Sequence, residues 1–315
     1  MNRPTLSAGS AISAAPSQAG GQIPAGRCVA MPKPIGTALL PGSGTLEVAV
    51  VAGHSTATRV VATNPLKFLV PRRPGPAAWI YTSTYGGGLV AGDEIDIRLR
   101  LGPGAVCVMH SQSSNKVYKS PAALFCRHRL HARVQRGATL ILAPDQVTCF
   151  ADARYEQDQR IDLAAGSVLV AVDWLTSGRQ ARGERWAFSR YRSRLTVFLE
   201  DEQLLAESLL LDPLDGRLDS AFRLGRFDCL ALVTLVGDRL AAHVDDLLAR
   251  VGRQPVGRAD AGGQQNPIVE AISPIPHGAV LRLLGESSES VGQYLRSALS
   301  FLSEDLGDSL WARKW

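Results

Sequence analysis

The longest faultless alternation in the chain, Asp93-Glu94-Ile95-Asp96-Ile97-Arg98-Leu99-Arg100-Leu101, puts four aliphatic side chains on one face and charge on the other. A period of two is the mark of a half-buried β-strand. Similar runs occupy residues 46–52, 58–62, 78–82, 105–110, 125–134, 139–142, 167–175, 185–200 and 229–236. Gly, Pro, Asn and Asp punctuate them about every ten residues, the spacing of turns between short strands. No helical pattern intervenes to supply βαβ crossovers. The pattern therefore predicts a mainly β fold of many short strands: a sandwich, a barrel, or a β-helix-like or stacked-sheet architecture.

Beyond residue 236 the period becomes helical. Asp238 is placed to cap a helix near 238–252, with Leu240, Val244, Leu247, Leu248 and Val251 on one stripe. Ser287 or Ser288 is placed to cap a second near 288–306, with Val291, Tyr294, Leu295, Leu299, Leu302 and Leu306 on one face. Residues 255–267 read as a polar loop and 280–284 as a strand. At the other end, 17 of the first 27 residues are Ala, Gly, Ser or Pro. Such a segment buries too little apolar surface to offset its ordering entropy. It also lacks the apolar stretch of a signal peptide. The expected organisation is a disordered tail over 1–44 and one β-rich domain over 45–315.

Composition narrows the class. Hydrophobic residues make up 45% of the 315, enough for a core. Yet the apolar run 229–236 is far short of the ~20 residues of a membrane helix. The five cysteines, Cys28, Cys107, Cys126, Cys149 and Cys229, form no CxxC pair. The expectation is a reduced, cytoplasmic protein without a membrane contact.

The net charge of +5 is unevenly spread. Residues 97–144 contain no acid and carry Arg98, Arg100, Lys116, Lys119, Arg127, Arg129, Arg133 and Arg136. Residues 200–219 answer with Glu200, Asp201, Glu202, Glu207, Asp212, Asp215 and Asp219 against Arg217. Such segregation suits docking on a protein surface by complementary potentials. Nucleic-acid binding through the basic region is the alternative. It is disfavoured because only Tyr118 and Phe125 offer stacking rings there.

Generic catalytic signals are absent. No GxxxxGK[ST] or GxSxG occurs. Gly86-Gly87-Gly88 leads into Asp93-Glu94 and a strand rather than a helix N-terminus, so it reads as a tight turn. On a strand, His128 and His131 point to opposite faces and cannot chelate one ion. Cys126 and His128 share a face but lack a third ligand. No stable metal site and no enzyme activity are expected.

Three longer stretches carry more information. Asn64-Pro65-Leu66-Lys67 precedes Tyr81-Thr82-Ser83-Thr84-Tyr85-Gly86-Gly87-Gly88-Leu89-Val90-Ala91-Gly92-Asp93. Ser111-Gln112-Ser113-Ser114-Asn115-Lys116-Val117-Tyr118-Lys119-Ser120 follows. Gly178-Arg179-Gln180-Ala181-Arg182-Gly183-Glu184-Arg185-Trp186 comes third, after Pro144-Asp145 and Phe150-Ala151-Asp152-Ala153-Arg154-Tyr155. In this order they resemble the urease accessory protein family UreD (UreH), over about residues 45 to 235 and loosely in the C-terminal helices.

The resemblance implies a non-catalytic scaffold or chaperone that binds the urease apoprotein. With UreF and the GTPase UreG it would deliver nickel to the urease active site, in some assemblies as a homodimer. It implies no tightly bound cofactor, only transient nickel, and an internal watery passage along which the metal moves. Ni²⁺ in transit needs oxygen ligands that release it, whereas Cys and His clusters would trap it. Asp93, Glu184 and Asp145 match family acids and are the passage candidates. Gly86, Gly87, Gly88, Gly92, Ser113, Lys116, Arg179 and Arg182 match motif positions with structural or docking roles. A turn cap at Asp93 and an ion pair of Glu184 with Arg179 or Arg182 are the plainer roles of those acids.

Overall fold

The computed structural model describes residues 40–73, 75–253 and 266–312. The tail expected over 1–44 and the loop expected over 255–267 lie almost wholly outside the described residues. Two hairpins open the described chain: β1 (Ser43–Val51) with β2 (His54–Ala62), then β3 (Leu66–Leu69) with β4 (Ala78–Thr84). From β4 the chain coils. β5 (Gly88–Leu89), β6 (Glu94–Leu101) and β7 (Val106–Ser111) make one circuit. β8 (Asn115–Val117), β9 (Cys126–Val134) and β10 (Thr139–Leu142) make the next, and β11 (Val147–Cys149), β12 (Arg154–Leu163) and β13 (Val168–Thr176) a third.

Equivalent strands of successive circuits stack in parallel. β4, β7, β10 and β13 form one face. β6, β9 and β12 form a second, continued by β14 (Arg190–Leu199). The short strands β5, β8 and β11 form a third, closed against the end of β13. This is a β-helix-like stack, one of the mainly β architectures that the period of two left open. Further strands extend both large faces, antiparallel to their neighbours except β1, which runs parallel to β6. β15 (Glu202–Leu211) and the β1–β2 hairpin flank the second, making a seven-stranded sheet. β16 (Cys229–Val236), β18 (Gly278–Gly285) and β17 (Ile268–Ile275) flank the first.

Two apolar layers hold the stack. Inside the coil, alternate residues such as Ile95, Ile97, Leu99, Leu140, Leu169 and Tyr155 are buried between the faces. On the outer side of the first face, Trp79, Val108, Val170 and Val233 are covered by α1 (Ala241–Gly252), α2 (Ser288–Ala298) and α3 (Leu302–Leu306). A strand buried on both sides reads as a continuous apolar run, as Val168 to Val172 does.

Several expected boundaries move. Asp238 caps no helix: α1 begins at Ala241 after a 3₁₀ turn, and the Asp238 carboxylate instead meets His277 Nδ1 at 2.9 Å. Ser287 does cap α2, accepting from the Ser290 amide. The single second helix is two, α2 and α3, separated at Leu299–Phe301. The strand expected over 185–200 starts only at Arg190. The acidic stretch 200–219 conceals β15, and β17 shows no apolar–polar alternation, because Val269 and Ala271 hold exposed positions and Glu270 a half-buried one.

Candidate functional site

The motifs that are far apart in sequence come together on the third face. Gly88–Leu89 pairs with Lys116–Val117, which pairs with Val147–Cys149, and β11 runs against Leu175–Thr176 at the entry to the Gly178 segment. Gly86 and Gly87 have φ of +82° and +73°, the tight turn their sequence predicts. Gly88 is needed for another reason. A Cβ there would lie 2.7 Å from the Lys116 carbonyl oxygen, so only Gly lets β5 approach β8. The Tyr85 amide donates to the Pro65 carbonyl at 2.8 Å, and Lys67 Nζ lies 4.7 Å from the centre of the Tyr85 ring. These contacts join the Asn-Pro-Leu-Lys motif to the glycine turn. Tyr118 packs edge-on against Phe150, and the Arg179 guanidinium lies over the Phe150 ring, 3.9 Å from its centre.

Asp93 closes its turn, its carboxylate accepting from the Val90 amide at 2.8 Å. Glu184 is held by Arg179, through Nε at 2.9 Å and a second bond from Nη2, and accepts from the Ala151 amide at 3.2 Å. The Arg179 guanidinium keeps the Glu184 carboxyl below the usual carboxylate range. Arg182 lies in the short turn Gln180–Arg182 and is exposed, as are Lys116 and Gly92.

Between the two large faces, opening beside this motif layer, lies a cavity of about 540 Å³. Asp145, Ser113 and Gly87 line it; Asp93 and Glu184 lie outside its lining. Asp145 is fixed by its own backbone, whose amide donates to Ser111 Oγ at 2.8 Å. Deeper in the cavity is a polar cluster that the sequence reading did not single out. In the β9–β12–β14 register His128, Gln157 and Ser193 are direct neighbours. Tyr155 donates to Gln157 Oε1 at 3.1 Å, Gln157 Nε2 donates to Ser193 Oγ at 3.1 Å, and Ser193 Oγ donates to Asp173. Tyr191 Oη stands 3.5 Å from the same Asp173 carboxylate.

Removal from bulk water dominates the electrostatics here. Burial pushes the Asp173 carboxyl up, against hydrogen bonds from Ser193, Gln157 and Tyr191 that favour its charged form. Burial lowers His128 to about 4, so it is neutral at physiological pH, and its Nδ1 has no hydrogen-bond partner among the described residues. Burial likewise lifts Cys126 to about 11, which keeps it a thiol. The signal for the cluster was present in the sequence. Asp173 interrupts an apolar run, and Gln157 and Gln159 occupy inward positions of β12 where the period calls for apolar side chains. Among the described residues no three His, Cys, Asp or Glu side chains are grouped to hold a metal ion. What the walls offer is single carboxylates, amides and hydroxyls and the separate imidazoles of His110 and His128, rather than a grouped chelating set among the described residues.

The UreD urease accessory protein family model matches residues 41–315. The chain belongs to the UreD family. It is 46% identical over 275 residues to the urease accessory protein UreD of Sorangium cellulosum, spanning 87% of this chain and 84% of that protein. It is 37% identical to urease accessory protein D of rice (Oryza sativa subsp. indica), covering 84% and 94% of the two chains. The Arabidopsis thaliana protein of that name is 35% identical, covering 86% and 99%. Membership of UreD supports a role in urease maturation. No helix among the described residues of this UreD chain is long and apolar enough to cross a membrane.

Proposed function

We propose that the chain is a non-catalytic scaffold that binds the urease apoprotein and, with UreF and the GTPase UreG, passes nickel toward the urease active site. The metal is cargo, and the cavity between the two large faces is its route. The observation that carries this reading is the chemistry of that cavity. It joins Asp145 at the motif end to Asp173 in the interior past amide and hydroxyl groups and the separate imidazoles of His110 and His128, without a grouped chelating set among the described residues. Oxygen donors of this kind attract Ni²⁺ and let it go. The proposed roles of the other acids differ. Asp93 and Glu184 shape the layer around the opening, because their carboxylates are engaged by Val90, Ala151 and Arg179.

The test is Asp145→Ala and Asp173→Asn in a strain assembling urease from its own accessory proteins. The expected result is normal co-purification with apo-urease and UreF, with urease nickel reduced in part, since water and the remaining oxygens still solvate a moving ion. Full nickel loading in both variants would overturn the passage assignment. Absence of any urease contact by the wild-type chain would overturn the scaffold assignment.

A further inference from the structure

The solvent face of the seven-stranded sheet carries its charges in rows set by the parallel register. The first row is Glu94, Arg127, Glu156 and Arg192, and the second is Asp96, Arg129, Asp158 and Arg194. Each alternates in sign and sums to zero. Ion pairs run along and between them: Arg127 to Glu94 at 3.0 Å, Arg129 to Glu94 at 3.1 Å and Arg192 to Asp158 at 3.1 Å. The mutual pairing holds Glu94 below the usual carboxylate range.

The next two rows break the balance. They are Arg98, His131, Arg160 and Thr196, then Arg100, Arg133, Asp162 and Phe198. Four arginines here face one acid. Asp162 is shared among His131 at 2.6 Å, Arg160 at 2.9 Å and Arg133 at 3.8 Å. Glu47 on β1, the register neighbour of Arg100, pairs with Arg59 across β1 and β2. Arg98 reaches an acid only at 3.9 Å, and Arg100 makes no ion pair among the described residues. The side chains of Arg98, Arg133 and Arg160 are 77%, 62% and 53% exposed.

We propose that this block docks a short acidic segment of a partner protein, two or three carboxylates presented together. Its dimensions argue for that size of ligand. Two rows and three strands cover roughly 7 by 10 Å at ordinary strand spacings. The acids of the balanced rows bound it on one side, and Glu200 and Asp201 in the β14–β15 turn, with Glu202 at the start of β15, bound it on another. A nucleic acid laid across it would run onto those acids within a few phosphates, whereas specific duplex binding uses about six to ten contacts. The ring nearest the block, Phe198, is covered by Arg160 at 4.0 Å and is not a free stacking platform. Guanidinium groups favour planar, bidentate carboxylates, and their stems rise from central strands already fixed by pairing on both sides, which lowers the ordering cost of binding. The block lies on the opposite side of the strands from the cavity, so it stands or falls apart from any nickel passage.

The experiment uses the full chain and two labelled probes, an octaglutamate peptide and a short DNA duplex, at about 50 and about 300 mM salt. Arg100→Glu/Arg133→Glu is compared with Arg72→Glu/Lys119→Glu, which makes the same net-charge change at exposed positions elsewhere. Arg100→Gln/Arg133→Gln serves if the first variant melts early. The expected result is peptide binding that weakens with salt and falls by about tenfold or more in the Arg100/Arg133 variants, with little change in the control. Equal losses in both pairs of sites, no peptide binding at low salt, or tighter binding of the duplex through the same arginines would each overturn the proposal.

Discussion

Arg73 and Asp308 lie 3.5 Å apart and join the segment before the first coil to the segment after the last helix. The Arg73 side chain is 1% exposed. It stacks 4.2 Å from the Trp79 ring centre, donates to Tyr81 Oη at 2.7 Å, and donates to the Ala312 carbonyl. Nearby, His110 stacks on Trp79 and its Nε2 lies 2.8 Å from the Leu310 carbonyl. The C-terminal stretch is therefore clamped to the first face by groups 200 and 239 residues away in sequence.

Breaking this clamp from one side leaves a charge with much of its solvation removed. Arg73→Met is expected to cost about 3–5 kcal/mol in urea unfolding. Arg73→Met/Asp308→Leu should recover part of that loss, because no lone carboxylate remains. A single variant within about 0.5 kcal/mol of wild type, typical of a neutral surface change, would show that the pair does not hold the terminus.

At the motif layer, the contacts of Glu184 predict a stability effect distinct from any effect on nickel. Glu184→Ala removes the acceptor of the Ala151 amide and of Arg179 and should cost about 1–3 kcal/mol. Asp93→Ala opens only the Val90 turn and should cost about 1 kcal/mol. Thermal melts of the isolated variants check both. Asp145→Ala, whose effect is assigned to the passage, should deliver less nickel than Glu184→Ala when equal amounts of folded protein are compared. The reverse order would move the passage assignment to Glu184.

The second apolar layer makes a related prediction. Val291, Leu295, Leu302 and Leu306 are at most 1% exposed and cover the outer side of the first face. Leu295→Ala should cost about 2–5 kcal/mol through the cavity it leaves. Deletion from Ser288 onward should yield aggregated protein, since Trp79, Val170 and Val233 lose their cover. Loss of UreF binding on such a deletion would then report unfolding.

What the sequence made legible follows from which forces are local. Alternation in 93–101 identified β6 and its buried face because one strand writes its own period. The coil itself was not visible as a repeat. Register partners Glu94, Arg127, Glu156 and Arg192 are 33, 29 and 36 residues apart, so circuits of unequal length erase any fixed period. The same geometry hid the neutral charge rows: the arginines of 97–144 look unopposed along the chain, while their acids arrive from β6 and β12 across the sheet. The Gly86 turn was readable from local backbone demands. The cluster around Asp173 was legible only as polar residues breaking an apolar pattern, because Ser193 and Gln157 become its neighbours only when β12, β13 and β14 assemble.

That cluster gives the last prediction. His128 is neutral in the fold, with its pKa lowered to about 4 by burial, whereas in the unfolded chain it titrates near 6.5. Between those values the unfolded state binds the extra proton, so stability falls as the pH is lowered through this window. The difference amounts to about 3 kcal/mol by pH 4 at 1.36 kcal/mol per pKa unit. The raised Asp173 carboxyl acts in the opposite direction, since the fold takes up its proton before the unfolded chain does. The His128 contribution is therefore read as a difference between variants rather than from the wild-type curve alone. His128→Gln keeps a polar side chain of similar reach facing the cavity and removes the titration. Its urea stability should exceed that of wild type by progressively more as the pH drops from 6.5 to 4, starting from any fixed offset at pH 7.5. Parallel curves for the two proteins over that range would mean that His128 is solvated and protonated in the folded chain.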